Sequence, residues 1–236
     1  MLTENKFMRY LLYAIGEIIL VVIGILIAIQ LNTFKENKQL ENVKQEYYQQ
    51  LLIDLEKDTE NVNANINFLK KNIALYESFE KNFNSSDLKP PEIQKELDKL
   101  NLFTKTLIFN TNTLETLKNT GDIKLIPTSL RNKLIELNRY QSYLGEIYKR
   151  DFTIYLENTF KIAISNYSSI EAKPKLMKYL NKYLNIEKEK AKSITEFLTL
   201  YKFKYFLEVR TIQQYDNLLN DIEAIRSSIQ LQINIQ

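Results

Sequence analysis

The segment from Tyr10 to Leu31, YLLYAIGEIILVVIGILIAIQL, is an almost unbroken apolar run that contains one carboxylate, Glu17. At about 1.5 Å per residue a helix of this length reaches about 33 Å, which matches the hydrocarbon thickness of a bilayer. The run is longer than the core of a signal peptide and passes into Gln30-Leu31-Asn32 without a small-residue cleavage site. The sequence therefore predicts one membrane-spanning helix that stays attached to the chain.

The flanks of this segment favour a signal-anchor topology. A short leader, residues 1–9, precedes the span, and most of the 236-residue chain follows it. Lys and Arg are nearly balanced on the two sides, so the shortness of the leader decides the predicted orientation. We expect the N-terminus to be cytoplasmic, the span to lie in the lipid bilayer of an inner membrane, and the large domain to be periplasmic.

Composition excludes several classes of function. The chain has no Cys and no His, which removes thiolate chemistry, zinc sites built from these ligands and Ser-His-Asp catalysis. Lys and Arg total 32 against 29 Asp and Glu, and no basic stripe indicates a nucleic-acid partner. No convergent pair of carboxylate, Lys or Tyr side chains points to a reaction. We expect no enzymatic activity, no cofactor and no metal site.

The predicted fold is all-α, with one N-terminal transmembrane helix that continues into a long amphipathic helix, and an elongated helical-bundle domain. Only four Gly and four Pro interrupt the chain, and apolar residues recur in steps of four and three. The predicted boundaries are 10–31 for the transmembrane helix, 32–83 for the long amphipathic or coiled-coil helix, and 84–236 for the remainder of the bundle.

Three rows of apolar residues define the long helices that are expected to pack together. Polar residues interrupt the first row at Glu80 and the third row at Glu208 and Arg226. The first row is Tyr48, Leu52, Leu55, Thr59, Val62, Ile66, Leu69, Ile73, Tyr76 and Phe83; the second is Leu130, Leu134, Leu137, Leu144, Tyr148, Tyr155 and Ile162; the third is Ile194, Leu198, Tyr201, Tyr205, Ile212, Tyr215, Leu219, Ile222, Ile229 and Ile233.

Shorter elements are expected between these helices. Pro91 is predicted to begin a short helix that reaches about Leu102, and Gly121 to end another over 113–119. A loop at 168–174 and a short helix at 175–184 precede the last long helix. The tail 229–236 alternates apolar and polar residues, which fits either a short strand or the fraying end of a helix.

Glu17 is the main candidate functional residue because an acidic side chain in a membrane helix costs about 2.5–3.5 kcal/mol on insertion scales. Three roles are compatible with the sequence. The carboxyl group can hydrogen-bond and hold helices together, it can reach toward the nearer membrane surface, or it can work in a proton or ion path.

Small residues in the span predict that several copies of the helix associate. Gly16, Gly24 and Ala28 lie on rows of four residues, and Gly24 and Ala28 form a small-xxx-small pair that lets two backbones approach closely. Steps of three and four also connect Glu17 through Gly24 to Tyr48, at the start of the first apolar row. We therefore expect a homo-oligomer that forms through the transmembrane helix, and a helix that continues from the membrane into the domain.

The N-terminal residues resemble a functionally uncharacterised family of single-span membrane proteins from Bacteroidota. The resemblance rests on Thr3–Asn32, where YAIGEIILVVIGILIAIQLN follows the family's YAIGEI-L-VV-GILIA-QIN type motif, with Glu17 and Gly24 in matching positions. Tyr47–Asp58 and Leu114–Leu134 look like two later motifs of that family. The resemblance implies an inner-membrane protein of a Gram-negative bacterium with a helical domain, and it implies no established activity.

Two weaker sites remain as hypotheses. Asp54 and Asp58 are one helical turn apart, so they either bind a divalent cation or, as charged residues between seam positions usually do, form a solvated face. Arg131 is expected to form a structural ion pair with Glu115 or Asp122, and a clamp for a ligand is the alternative.

Two classes of function are consistent with these features. The first is a membrane-anchored homo-oligomeric helical bundle with a structural, scaffolding or sensing role, which includes binding of an unidentified protein partner. The alternative is an ion-conducting or ion-driven membrane element in which a ring of Glu17 carboxylates lines a path.

Overall fold

The computed structural model describes residues 4–85, 87–165 and 186–234. Every regular element in these ranges is helical, which confirms the predicted all-α fold. The predicted loop at 168–174 and helix at 175–184 lie outside the described residues. The elements are α1 (Glu4–Ser85), α2 (Pro90–Leu97), α3 (Asn112–Thr120), a 3₁₀ turn (Asp122–Leu125), α4 (Thr128–Ser165) and α5 (Ile186–Asn234).

Helix α1 is a single element of 82 residues, about 120 Å long at 1.5 Å per residue. It does not break at Asn32-Thr33, so the predicted continuation from the apolar segment into the domain is confirmed. The apolar part of α1 is long enough to cross a membrane, and none of its most apolar window is buried inside the chain. Helix α1 continues through residues 32–46, none of which is buried, and Tyr48 is its first buried residue.

The domain is a bundle of three long helices in which α5 packs against both α1 and α4. Glu56 near the start of the bundle pairs with Arg226 of α5, and the Tyr76 ring farther along packs at a tilt against Tyr205, with ring centroids 5.0 Å apart. Helix α5 is therefore antiparallel to α1. Contacts between Asp151 and Arg210 and between Lys133 and Ser228 make α4 antiparallel to α5 as well.

The first apolar row of α1 was predicted half correctly. Tyr48, Leu55, Val62, Leu69 and Tyr76 are buried as expected. The second buried row lies one residue earlier than predicted. Its members are separated by seven residues, and three of the five are polar: Leu51, Asp58, Asn65, Asn72 and Phe79.

The predicted positions next to that row are mostly half-buried. Leu52, Thr59 and Ile73 are in this class, whereas Ile66 is fully buried. The buried face of α1 is thus three columns wide, as expected for a helix that contacts more than one neighbour. A prediction that assigns only two columns of residues to the buried face therefore selects the apolar column and misses the polar one.

Helix α5 shows the same one-residue difference. Tyr201, Tyr215 and Ile222 are buried as predicted, but Lys204 and Leu218 are buried where the sequence reading placed Tyr205 and Leu219. The predicted row of α4 is largely confirmed: Leu130, Leu134, Leu137, Leu144 and Tyr155 are buried, and Gln141 joins them.

The shorter elements follow their local chemistry. Helix α2 begins at Pro90 and ends at Leu97, earlier than expected, whereas α3 ends at Gly121 as predicted. Gly121 has a φ of 79°, the left-handed conformation that glycine adopts most easily at a helix end. At the C-terminus α5 continues to Asn234, so the helical interpretation of the tail is confirmed and the strand interpretation is wrong.

The polar members of the second row of α1 differ in their partners, and this difference predicts their effect on stability. Asn72 bonds the buried Glu208 and the half-buried Asn101, whereas the buried Oδ1 of Asn65 has no hydrogen-bond partner among the described residues. We expect Asn72→Ala to lower the free energy of unfolding by about 2–3 kcal/mol and Asn65→Ala to change it by less than about 1 kcal/mol. Denaturant unfolding of the full chain in detergent, followed by circular dichroism, measures both. Equal losses for the two variants would contradict the assignment.

Candidate functional site

The candidate residues of the apolar segment all lie in α1 and are exposed along it. Glu17, Gly16, Gly24 and Ala28 are exposed, and a Cβ added at either glycine would meet no atom within 4 Å. Within the described part of the chain, the Glu17 carboxylate has no hydrogen-bond or ion-pair partner. The structure of one chain therefore leaves this stripe uncovered.

Helical geometry separates this stripe from the bundle. At about 100° per residue, Glu17, Gly24 and Ala28 fall within a sector of about 40°, and Gly16 lies about 80° from Gly24. By the same rotation Glu17 points about 140° away from Tyr48, the first buried residue of the bundle. Steps of three and four residues connect Glu17 to Tyr48 in the sequence. On a regular helix, however, such a row of residues rotates about the helix axis by about 20° every seven residues. The small-residue face and the domain lie on nearly opposite sides of α1.

A buried carboxylate, Asp58, organises the part of the domain nearest the apolar segment. Asp58 is 1% exposed. Its Oδ1 accepts the backbone N–H of Asn110 at 2.8 Å and the Asn110 side-chain amide at 2.7 Å, and its Oδ2 accepts Gln141 Nε2 at 2.7 Å. Burial raises the pKa of the Asp58 carboxyl, although these hydrogen bonds act in the opposite direction.

Asp54, one turn earlier on α1, binds the beginning of α3. Its Oδ2 accepts the Thr113 hydroxyl at 2.6 Å and the Thr113 backbone N–H at 3.2 Å. A carboxylate at this position satisfies a free N–H of the first helical turn and complements the positive end of the helix dipole. The two aspartates are thus neither a solvated face nor a cation site in this structure, because their oxygens bind Asn110, Thr113 and Gln141.

A second buried polar cluster lies farther along the bundle. Glu208 Oε1 accepts Lys204 Nζ at 2.6 Å and Asn72 Nδ2 at 2.7 Å, and Asn72 Oδ1 accepts Asn101 Nδ2 at 3.0 Å. Lys204 is 4% exposed and Glu208 is 6% exposed. Burial raises the pKa of the Glu208 carboxyl, while the Lys204 ammonium acts to lower it.

An internal cavity of about 40 Å³ adjoins the Lys204–Glu208 pair. Tyr148, Tyr155 and Thr104 also line it. Burial raises the pKa of Tyr155 to about 12, so its hydroxyl stays protonated at neutral pH. A cavity of this size holds only water-sized groups, since one water needs about 10–15 Å³.

Other chemical sites are limited. Among residues 11–84, 87–162 and 192–234, no group of three Asp or Glu side chains is placed to hold a metal ion. The ion pair predicted for Arg131 is wrong, because its guanidinium bonds Thr128, while Asp122 accepts the Tyr47 hydroxyl and Glu115 accepts the Thr111 hydroxyl.

The buried polar residues were the part of the site that the sequence reading missed. A signal for them is present, because Asp58, Asn65 and Asn72 recur at intervals of seven residues on a helix whose apolar row has the same period. Glu208 had been noted only as an interruption of the third row.

Comparison of the chain with models of known protein families, with curated proteins and with solved structures gives no match.

Removing one member of the Lys204–Glu208 pair tests the electrostatics of the second cluster. We expect Lys204→Met to lower the free energy of unfolding by about 3–5 kcal/mol at pH 8, because it leaves a buried carboxylate without its counter-charge. The added change Glu208→Gln should restore most of that loss, since a neutral amide can still accept the bond from Asn72.

The pH dependence of this loss has a defined sign. Because the pKa of Glu208 is raised in the folded state, protonation favours folding, and the deficit of Lys204→Met shrinks as the pH falls through that folded pKa. Denaturant unfolding at pH 5 and pH 8 measures it. A deficit that is the same at both values, or a double variant as unstable as the single one, contradicts the assignment.

Proposed function

We propose that this chain is a single-span membrane protein that assembles into homo-oligomers through its transmembrane helix and holds a helical bundle away from the membrane. Its role is structural, scaffolding or sensing, exerted through the bundle on a protein partner. As the sequence resemblance implies, we place it among the uncharacterised Bacteroidota single-span proteins, in the inner membrane with the N-terminus cytoplasmic and the bundle periplasmic. We propose no catalytic function.

The observation that carries this proposal is the uncovered stripe of Glu17, Gly24 and Ala28 on α1. The rotation of an ideal helix places this stripe nearly opposite Tyr48, the first buried residue of the bundle. A carboxyl group facing lipid is unfavourable, and a second copy of the same helix supplies a hydrogen-bond partner and a close backbone contact. Because the bundle lies on the other side of α1, two spans can meet along this stripe without a clash between their domains.

The same face supports an interface that is confined to the membrane. Continuing along α1 at about 100° per residue, the face of Glu17 passes through Lys35, Asn42 and Gln49, which are exposed polar residues, and reaches one apolar residue, Ile53. A polar, charged face does not supply the apolar seam of a coiled coil. The stalk between residues 32 and 46 therefore acts as a spacer of about 22 Å at 1.5 Å per residue.

An ion-conducting or ion-driven element is the second candidate, favoured by the absence of a partner for Glu17 among the described residues. In an oligomer that meets along this stripe, the carboxyl groups of several copies face one another. Such a ring of carboxyl groups can pass protons or cations.

Assembly is tested at Gly24. We expect Gly24→Leu to weaken the oligomer, because a side chain at this position prevents close approach of two helix backbones. Val22→Leu, on the opposite side of the span, is the matched control and should leave assembly unchanged. Native mass spectrometry in detergent measures the distribution of subunit number. An unchanged distribution for Gly24→Leu excludes this face as the interface.

Glu17→Gln separates the two candidate functions. If Glu17 conducts, the substitution abolishes proton or cation flux into liposomes while the oligomer persists. If the carboxyl group only holds helices together, the amide replaces its hydrogen bonds and both assembly and the basal flux stay at the wild-type level. Absence of wild-type flux above that of empty liposomes contradicts the ion-path candidate and leaves the scaffolding proposal in place.

A further inference from the structure

The buried Lys204–Glu208 pair has more hydrogen-bonding capacity than the described residues use. The Lys204 ammonium carries three N–H donors, and it donates one hydrogen bond, to Glu208 Oε1. The Asn72 amide donates to the same oxygen, so Glu208 Oε2 accepts no hydrogen bond from the described residues. Lys204 is 4% exposed and Glu208 is 6% exposed. Two N–H donors and one carboxylate oxygen therefore lie inside the bundle without a partner in the described part of the chain.

Burial makes these unused donors and this unused oxygen costly. Two opposite charges that leave water regain the lost hydration only when good geometry and additional hydrogen bonds satisfy their remaining protons and lone pairs. The single contact between Lys204 and Glu208 does not meet this requirement. The pair therefore needs a further hydrogen-bonding group at its own level of the bundle.

The 40 Å³ cavity adjoins both residues of the pair and has room for such a group. Its walls include further polar side chains, namely those of Thr104, Tyr148 and Gln214. A water molecule needs about 10–15 Å³ of such space, so this cavity has room for about two or three waters. A water also needs two to four polar partners, which the pair and these side chains supply.

Two smaller cavities beside the polar clusters differ from this one. The cavity of about 20 Å³ at Asp58 adjoins a carboxylate whose two oxygens already accept three hydrogen bonds, from Asn110 and Gln141. The cavity of about 10 Å³ between Asn72 and Glu208 is at the lower limit for one water. Of these three cavities, the 40 Å³ cavity is the one that combines sufficient volume with unused donors and an unused acceptor.

The charges around the cavity determine which kind of molecule fits. An anion beside the Lys204 ammonium would also meet the Glu208 carboxylate, and a cation beside Glu208 would meet the ammonium. Asp151, which also lines the cavity, is paired with Arg210 and Arg150. A neutral molecule that both donates and accepts hydrogen bonds serves the two members of the pair at once. Water is a molecule of this kind that the volume admits.

We propose that this cavity is a hydration site, in which ordered waters accept hydrogen bonds from the Lys204 ammonium and donate to Glu208 Oε2. The waters complete the hydrogen bonds of the ion pair, so both groups remain charged inside the bundle. They also connect the pair to Thr104, which belongs to the irregular segment 101–111. The hydration site thus joins α5 to that segment at a level where the two have no direct hydrogen bond through Lys204 or Glu208.

Magnetic relaxation dispersion of water oxygen-17 counts long-lived internal waters and tests the proposal on the full chain in detergent. Thr104→Leu places a larger apolar side chain in the cavity wall and removes a polar partner. Thr106→Leu, two residues later, is the matched control, because Thr106 is exposed and does not line the cavity. We expect Thr104→Leu to lose the dispersion amplitude of about two or three waters and Thr106→Leu to retain the wild-type amplitude. Circular dichroism confirms that each variant is folded.

A site-specific measurement identifies the partner of these waters. In the chain labelled with nitrogen-15 lysine, Lys204→Arg removes one ammonium signal while it retains the positive charge, and so assigns that signal. We expect the Lys204 ammonium protons to show a rotating-frame Overhauser cross-peak to water, whose sign distinguishes a bound water from proton exchange. A Lys204 signal without this cross-peak overturns the proposal. An unchanged dispersion amplitude in Thr104→Leu, or an equal loss in Thr106→Leu, overturns it as well.

Discussion

Buried amide and carboxylate groups on α1 need hydrogen-bond partners, and this requirement determines which segments pack against that helix. An unpartnered buried polar group costs about 1–3 kcal/mol, so a row that contains Asp58 and Asn72 is stable only beside suitable donors and acceptors. Gln141 of α4 and Asn110 donate hydrogen bonds to Asp58, and Glu208 of α5 accepts a hydrogen bond from Asn72. The polar row thereby aligns three helices and the irregular segment 101–111 along one axis.

Much of the fold follows from the spacing of apolar residues, and the remainder depends on contacts between distant residues. The length of α1, the end of α3 at Gly121 and the apolar row of α4 are local properties, and the sequence predicts them. The burial of the polar residues depends on contacts between residues that are far apart in the sequence. Lys204 is buried only because Glu208 and the facing helix compensate its charge, and a reading based on hydrophobicity assigns it to solvent.

The candidate site also combines features that the sequence predicts with a feature that depends on the folded structure. Composition places Glu17 in an apolar helix and identifies Gly24 and Ala28 as positions of close approach. The direction in which this face points relative to the bundle can be derived only for an unbroken helix. Any bend or insertion between residues 32 and 46 would rotate this face about the axis of α1 relative to the bundle. Since α1 is continuous, the orientation of the span about its axis also sets the direction in which the bundle projects. The proposed assembly in the membrane and the exposure of the domain therefore both depend on the continuity of this one helix.

Residues 101–111 lack regular secondary structure and depend on the buried polar groups of the bundle. A fourth helix in the space beside α1 would satisfy its own peptide groups and would pack through apolar side chains alone. Among the described residues, the peptide groups of Thr104–Phe109 form no hydrogen bonds, so the position of this segment depends on side chains of the neighbouring helices. Replacing Asp58 or Asn72 by apolar residues would leave Asn110 or Asn101 without its anchor. The polar row therefore stabilises this irregular segment as well as the contacts of α1 with α4 and α5.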